Sequence, residues 1–379
     1  MLNYEYDDKK HLLYWPESPR MKNTKEDHKK ELNYTMPGIK EEYVRSAIDH
    51  RFTETYNRFF PKYDLDLNQR GLLWFIKKGL FDAALNGTSD MLTWLGQGPN
   101  KAGRKSEINQ ICMEVWSLRF QLLINMRMHS QLLAEIAAFE ELDAPDLYYQ
   151  YKTNDKTGSL VPFSLRLIHA EALRFSPFPW KSLIQVQALW TEVEKIVKIF
   201  QTNGSPKEHV DDWEKRLDSV KLLFIRVLYN LGEYKQTMVT MEKVHGEVKN
   251  PEEKVEICRT MMRMAMQAGD EKAMNICAEK LKNCDAGSDE LILHKTMKSI
   301  FLGSFSHAQD YIYRVPFENG TPQIINTRAL VQLYTGRARD AVETISEIKP
   351  IVAGSTTTNL KTIAELCYST AAKDELLIS

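Results

Sequence analysis

Four glycines constrain what this chain folds into more than any other feature. Gly232, Gly269, Gly303 and Gly336 each separate two apolar-periodic segments, at spacings of 37, 34 and 33 residues. The segments are "LYNLGEYKQTMVTMEKV", "MAMQAGDEKAMNICAEKL", "SIFLGSFSHAQDYIYRV" and "VQLYTGRARDAVETISEI". In "DSVKLLFIRVLYNLGEY", Val220, Leu223, Phe224, Val227, Leu228 and Leu231 share one face at helical period. Alternating strand patterns are essentially absent. With 17 Gly and 14 Pro in 379 residues, helices meet few breakers.

A helix–glycine–helix unit repeating near 34 residues has the period of tetratricopeptide (TPR) arrays. An earlier copy, "LLWFIKKGLFDAALNGTSDML", turns at Gly79. Small residues seven before and five after the glycine let paired helices cross closely. Ala329 and Ala341 occupy both places in the last unit, and Ala84 and Ala308 occupy the second place in theirs. Met262 with Met274, and Ile225 with Thr237, fit less well, so those units should splay or use methionine to fill the gap. The expected fold is all-α, a right-handed superhelical solenoid of TPR-like helix pairs, irregular in its N-terminal half.

Three regions follow. Residues 1–35 carry "PESPRMKNTKEDHKKELN" and read as a disordered polar leader. Residues 36–200 form an N-terminal helical region of degenerate TPR-like pairs, and residues 210–379 the C-terminal TPR-like repeats. "CMEVWSLRFQLLINMRMHSQLLAEIAAF" reads as a helix pair without its glycine. "VPFSLRLIHAEALRFSPFPWKSLIQVQALWTEVEKI" reads as another, turned at Pro177 and Pro179, with Ala170 and Ser182 at the close crossing. "GQGPNKAGRKS" and "QTNGSPKEHVDD" read as loops.

Nothing in the chain carries a catalytic or cofactor motif. In "GPNKAGRKS", Gly98 and Gly103 have phosphate-loop spacing, but Arg104 displaces Lys105 and Ser106 by one position, and the preceding "SDMLTWL" is helical. The histidines form no H-E-x-x-H, and no G-x-S-x-G elbow occurs. Cys112, Cys258, Cys277, Cys284 and Cys367 lack zinc-ligand spacing and read as reduced, mostly buried thiols. Carboxylates, as in "WEKRLD" at 213–218, read as solvated helix faces. Catalytic residues, metal and cofactor are each expected to be none. Lys+Arg (50) and Asp+Glu (51) balance, which gives no electrostatic case for nucleic acid. No apolar run approaches membrane-spanning length, and no signal peptide is read.

A solenoid of this kind offers surface. The first helix of each unit would present Arg226, Tyr229 and Asn230, then Glu256, Arg259, Arg263 and Gln267, then Asn326 and Tyr334 on a concave face. Arg226 and Arg263 occupy equivalent positions of adjacent units and could hold an acidic segment or a terminal carboxylate. The Met-rich "RTMMRMAMQAG" is expected to serve the core more than a groove. Arg226, Asn230 and Arg263 are also partial ingredients of a carboxylate clamp. They keep open the alternative of a peptide-binding, cochaperone-like TPR adaptor.

Residues 138–173, "AFEELDAPDLYYQYKTNDKTGSLVPFSLRLIHAEAL", carry a longer signature. It comprises Asp146, Leu147, Tyr148 and Tyr149, then Pro162, Phe163, Ser164, Arg166, His169, Ala170 and Glu171. This stretch, with "KKGLFDAALNGTSDMLTWLGQG" upstream and the four C-terminal units in order, resembles the subunit 12 family of TRAPP, the trafficking protein particle complex. The resemblance runs from about residue 60 to the end. It implies a non-catalytic scaffold of TRAPP III, which tethers vesicles in endoplasmic reticulum to Golgi transport. The implied partners are TRAPP subunits 8, 11 and 13, and indirectly the exchange-factor core and a Rab GTPase. No direct membrane insertion is implied. The implied location is cytoplasmic, peripheral to the ER–Golgi intermediate compartment and Golgi, with a mitotic role as a secondary possibility. Family members carry a long acidic N-terminal extension where this sequence opens on a short polar leader. Arg127 stands where the family's second unit has its turn glycine, so that turn is expected to be made differently. The terminal "AAKDELLIS" contains Lys373-Asp374-Glu375-Leu376, which is internal and reads as the end of a last amphipathic helix, not as a retrieval signal.

Overall fold

The computed structural model describes residues 10–26, 33–40, 69–152, 157–248, 250–283, 288–316, 321–348 and 354–368. The tetrapeptide at 373–376 and Cys284 lie outside them. The described residues are all-α: two isolated β-bridges occur among them, and no strand. The chain divides into two compact units, Met1–Glu233 and Tyr234–Ser379.

The first unit holds α1 (Pro19–Glu26), α2 (Gln69–Lys77), α3 (Phe81–Trp94), α4 (Gln110–Asn125) and α5 (His129–Ile136). It continues with α6 (Tyr149–Lys152), α7 (Phe163–Ala172), α8 (Trp180–Thr202) and α9 (Lys207–Asn230). Helices α2 with α3, α4 with α5, and α8 with α9 pack as sequential pairs. The second unit holds α10 (Tyr234–Glu247), α11 (Pro251–Gln267), α12 (Glu271–Asn283), α13 (Ser288–Phe301) and α14 (Phe305–Ile312). It ends with α15 (Pro322–Tyr334), α16 (Ala338–Ser346) and α17 (Gly354–Cys367). Its pairs are α11 with α12, α13 with α14, and α15 with α16.

The pairs share one turn chemistry. Gly232 has φ +81°; its amide donates to the Tyr229 carbonyl, and the Glu233 amide reaches back to the Leu228 carbonyl, both at 3.0 Å. That is a Schellman ending, which satisfies carbonyls the helix terminus leaves open. Gly79, Gly269, Gly303 and Gly336 repeat it, and so do Gly96 and Gly204. Arg127 repeats it too. Its φ is +58°, its amide donates to the Ile124 carbonyl and the Met128 amide to the Leu123 carbonyl. The expectation of a different turn is therefore corrected. The backbone motif is kept, and an arginine carries the left-handed conformation that glycine adopts without steric cost.

Helix starts are equally local. Asn109 caps α4 by accepting from the Cys112 amide at 2.8 Å, and Asn250 caps α11 ahead of Pro251. Helix α9 begins at Lys207, directly after Pro206, so all of "KEHVDD", expected as loop, is helix and the connection from α8 is short. The crossing residues Ala84, Ala308, Ala329 and Ala341 are wholly buried, as are Met262 and Met274, whose flexible side chains fill the wider gap. Met261 is also buried.

One ion pair organises the first unit. Arg119 of α4 donates to both carboxylate oxygens of Glu135 on α5, at 2.6 and 2.8 Å, and to Thr88 and Ser89 of α3. Both charged residues are fully buried. Bidentate geometry and the added hydroxyls offset the desolvation a buried pair suffers. In the second unit, Arg328 of α15 donates to the Ile312 and Val315 carbonyls at the end of α14, where a cation favours the helix dipole.

Within the described residues 10–26 and 33–35, the leader departs from expectation. A 3₁₀ turn spans Lys10–Leu13, α1 follows, and Thr35 is buried, as is Ile39 just beyond the leader. Composition does favour disorder here, but it measures only what a segment buries against itself. This leader buries against side chains far away in the sequence.

Candidate functional site

The signature of residues 138–173 is the place where the leader docks. Asp146 is buried and accepts two hydrogen bonds from Thr35, one from the amide at 2.9 Å and one from the hydroxyl at 2.8 Å. Leu147 is wholly buried. The Tyr148 hydroxyl donates to the Pro16 carbonyl at 3.2 Å, while the Tyr149 hydroxyl donates to Gln110 at 3.0 Å. Burial holds both phenols above their ordinary pKa, so both remain donors.

Among the described residues, no carboxylate pairs with Arg166. It donates to the Ser159 hydroxyl at 2.7 Å and lies under the Trp15 ring at 3.7 Å. Burial, with Arg216 nearby, pushes its pKa down to about 9. The Trp15 face supplies a cation–π contact in place of an anion. Pro162 precedes α7 and sets its start. Phe163 meets Trp213 edge-on and carries the Arg216 guanidinium over its ring at 4.9 Å. Ser164 shares a hydrogen bond with Ser117 at 2.7 Å. The His169 imidazole donates from Nε2 to the Glu140 carbonyl, and burial lowers its pKa. Ala170 of α7 and Ser182 of α8 are both buried, and the two helices pack together. Glu171 is buried between Arg174 at 2.8 Å and Arg226.

The other wall comes from α9, where Glu214 and Asp218 of "WEKRLD" lie on the solvated face as expected while Trp213 and Arg216 turn to the leader. Trp213 is wholly buried and donates to the His11 carbonyl at 3.1 Å, and Arg216 donates to the Leu12 carbonyl at 2.7 Å. Asp212 pairs with His11 at 3.0 Å, and the His11 ring stacks on His209. The loop "GPNKAGRKS" meets the residues just after the leader: the Ile39 amide donates to the Gly98 carbonyl, the Asn100 amide to the Ile39 carbonyl and the Gly103 amide to the Met36 carbonyl.

The residues placed on an inner face divide between the units. Arg226, Tyr229 and Asn230 belong to the first, and Glu256, Arg259, Arg263, Gln267, Asn326 and Tyr334 to the second. Arg226 is held by Glu171, and the Asn230 amide donates to the Arg226 carbonyl at 2.7 Å. Arg259 is bracketed by Glu256 at 2.6 Å and by Glu290 of α13. Arg263 faces His294, which is buried and donates from Nδ1 to the Glu290 carbonyl at 2.7 Å. Tyr229 is half-buried and Gln267 exposed. Asn326 accepts from Asn359 at 3.0 Å, and the exposed Tyr334 stacks on Phe305 at 4.8 Å. Sequence reasoning missed the engagement of Arg226 and Arg259 because Glu171 and Glu290 lie on other helices. It missed Trp15 because a lone aromatic in a polar leader gives no periodic signal.

Two curated proteins match the sequence. Trafficking protein particle complex subunit 12 of Homo sapiens is 25% identical over 297 residues, covering 72% of this chain and 40% of that protein. The Mus musculus protein of the same name is 25% identical over 297 residues, covering 72% of this chain and 37% of its own length. The chain is similar to subunit 12 of the trafficking protein particle complex. It spans about two fifths of the length of these subunit 12 proteins. No family model matches the chain. Among solved structures, a tetratricopeptide repeat protein from Parabacteroides merdae ATCC 43184 superposes on 82% of this chain and 95% of its own, with a TM-score of 0.41 and 12% identity.

Proposed function

We propose that this chain is a non-catalytic scaffold subunit of TRAPP III, acting in vesicle tethering between endoplasmic reticulum and Golgi. The similarity to subunit 12 carries this reading. The partners proposed are TRAPP subunits 8, 11 and 13, with the exchange-factor core and a Rab GTPase reached through them. The proposed location is peripheral, on the cytoplasmic side of the intermediate compartment and Golgi. Among the described residues, no helix is long and apolar enough to cross a membrane.

The surface of the first unit supports a role inside an assembly. Phe178, Trp180 and Ile184 stand exposed at the start of α8, and Trp94 is 83% exposed at the end of α3. Aromatic anchors of this kind dominate protein interfaces. Affinity purification of the tagged chain from its own cells should recover other TRAPP subunits at near-stoichiometric level. Recovery of none sinks the proposal. The double substitution Trp180→Ala with Ile184→Ser should reduce that recovery while leaving the circular dichroism melt unchanged, since neither side chain contributes to the core.

A further inference from the structure

The contacts between leader and body have the form of peptide recognition. The leader carbonyls of His11, Leu12, Leu13 and Pro16 are each read by a donor of the body: Trp213 Nε1, an Arg216 guanidinium nitrogen, the Ser159 amide and the Tyr148 hydroxyl. Reading main-chain carbonyls gives affinity for a bound segment, and pockets for individual side chains add selectivity. Trp15 fills one such pocket over Arg166, the Ser18 hydroxyl donates to the Asp143 carbonyl at 2.7 Å, Arg20 pairs with Glu140 at 2.6 Å and Met21 is wholly buried. At Gly158 (φ +116°) any side chain would collide with the Leu13 carbonyl, so the glycine keeps the floor open.

The two sides of the seam are unequally held. Tyr148 and Trp213 belong to cores built mostly from the body, Trp213 packing on Phe163 and Phe200, and the leader adds Met21, Leu13 and Trp15 to them. Between Lys10 and Thr24, only Ser18 and Met21 are buried, and the rest is half-buried or exposed. A segment that is mostly half-buried opens at less than the global unfolding free energy, while the groove behind it keeps its shape. Opening also lets water reach Arg166, which relieves the burial that holds its pKa near 9.

We propose that this seam is a peptide-binding groove for an aromatic–proline segment flanked by helical turns, occupied by the chain's own residues 11–21 in an exchangeable manner. The groove is built from this chain alone and owes nothing to the trafficking assignment. When the leader withdraws, the same donors accept a segment of the same chemistry in trans. Apparent affinity for such a segment then scales with the fraction of chains whose groove is vacant.

The test uses the full chain and a fluorescent peptide of residues 10–23, "KHLLYWPESPRMKN". Trp15→Ala loosens the leader, so this variant should bind the peptide at least about tenfold tighter than the unsubstituted chain. Adding Gly158→Ala, which obstructs the floor, should abolish that gain. Equal binding to all three chains overturns the proposal. Should Trp15→Ala fail to fold, hydrogen exchange of the unsubstituted chain decides. The Ser159 amide, which donates to Leu13, should exchange by an opening that leaves the α4 amides protected. Exchange of Ser159 only together with α4 overturns it.

Discussion

Arg127 shows how far a single residue can sit from its preferred conformation when the surrounding motif determines the backbone. A non-glycine residue in the left-handed region bears a steric cost of about 1–2 kcal/mol, and glycine returns about 0.5–1 kcal/mol of that in chain entropy. Arg127→Gly should therefore raise stability by up to about 1 kcal/mol, read as a higher denaturation midpoint at unchanged m-value. Gly269→Ala should move the other way by about 1 kcal/mol, because its φ is +71° and nothing lies within 4 Å to compensate or clash. His294 offers a second residue-scale test. Burial and the cations Arg259 and Arg263 push its pKa down to about 4, against an unfolded value near 6.5. The folded state thus holds the neutral imidazole, with Nδ1 donating to Glu290. Below about pH 6.5 the unfolded chain takes up a proton the folded chain refuses, so stability falls as pH drops towards 4 and levels off below it. His294→Asn should flatten this dependence by an amount on the order of 2 kcal/mol, measured by urea unfolding at pH 7 and pH 4.5. An unchanged pH slope in the variant would assign the dependence to other groups.

Among the elements, the helix pairs were legible from sequence because everything that forms them is local. A turn glycine, an apolar stripe and two small residues at fixed offsets suffice, and the Schellman hydrogen bonds join residues no more than five apart. The pair α4–α5 was readable by its periodicity, although its turn residue was not glycine. The leader was illegible for the opposite reason: Trp213 and Arg216 meet it across 202 and 204 residues of chain. The candidate groove was half legible. The signature residues stood out as a block, but composition could not show that Asp146 answers Thr35 or that Arg166 answers Trp15. The α4–α5 pair also depends on Arg119 and Glu135, which no periodicity marks. Glu135→Gln leaves the guanidinium buried without its counter-charge and should cost about 3–5 kcal/mol. Arg119→Met combined with Glu135→Leu should recover most of that loss, since apolar isosteres need no desolvation. Ala341→Leu probes a different dependence, the close approach of α15 and α16, and should cost about 1–3 kcal/mol by overpacking.

For the whole molecule, the division after Glu233 places separate hydrophobic cores on either side. One side holds the cores around Trp116 and Phe120 and around Val193 and Trp213, and the other those around Ala308 and Ile312 and around Ala341 and Ile345. Units with their own cores need not unfold in one step. Buried thiols report on each: Cys112 in the first unit, Cys258 and Cys277 in the second, all wholly or almost wholly shielded from solvent. Burial raises the Cys112 and Cys277 pKa values, so the folded thiols are poor nucleophiles and label only after opening. Pulsed alkylation across a urea series, resolved peptide by peptide by mass spectrometry, then gives a midpoint for each unit. Glu135→Gln lowers the stability of the first unit through a pair wholly internal to it, so it should shift the Cys112 midpoint to lower urea. The Cys258 and Cys277 midpoints should stay where they are in the unsubstituted chain. A common shift of all three thiols would mean that the units unfold as one, and the two cores would then have to be treated as a single cooperative body.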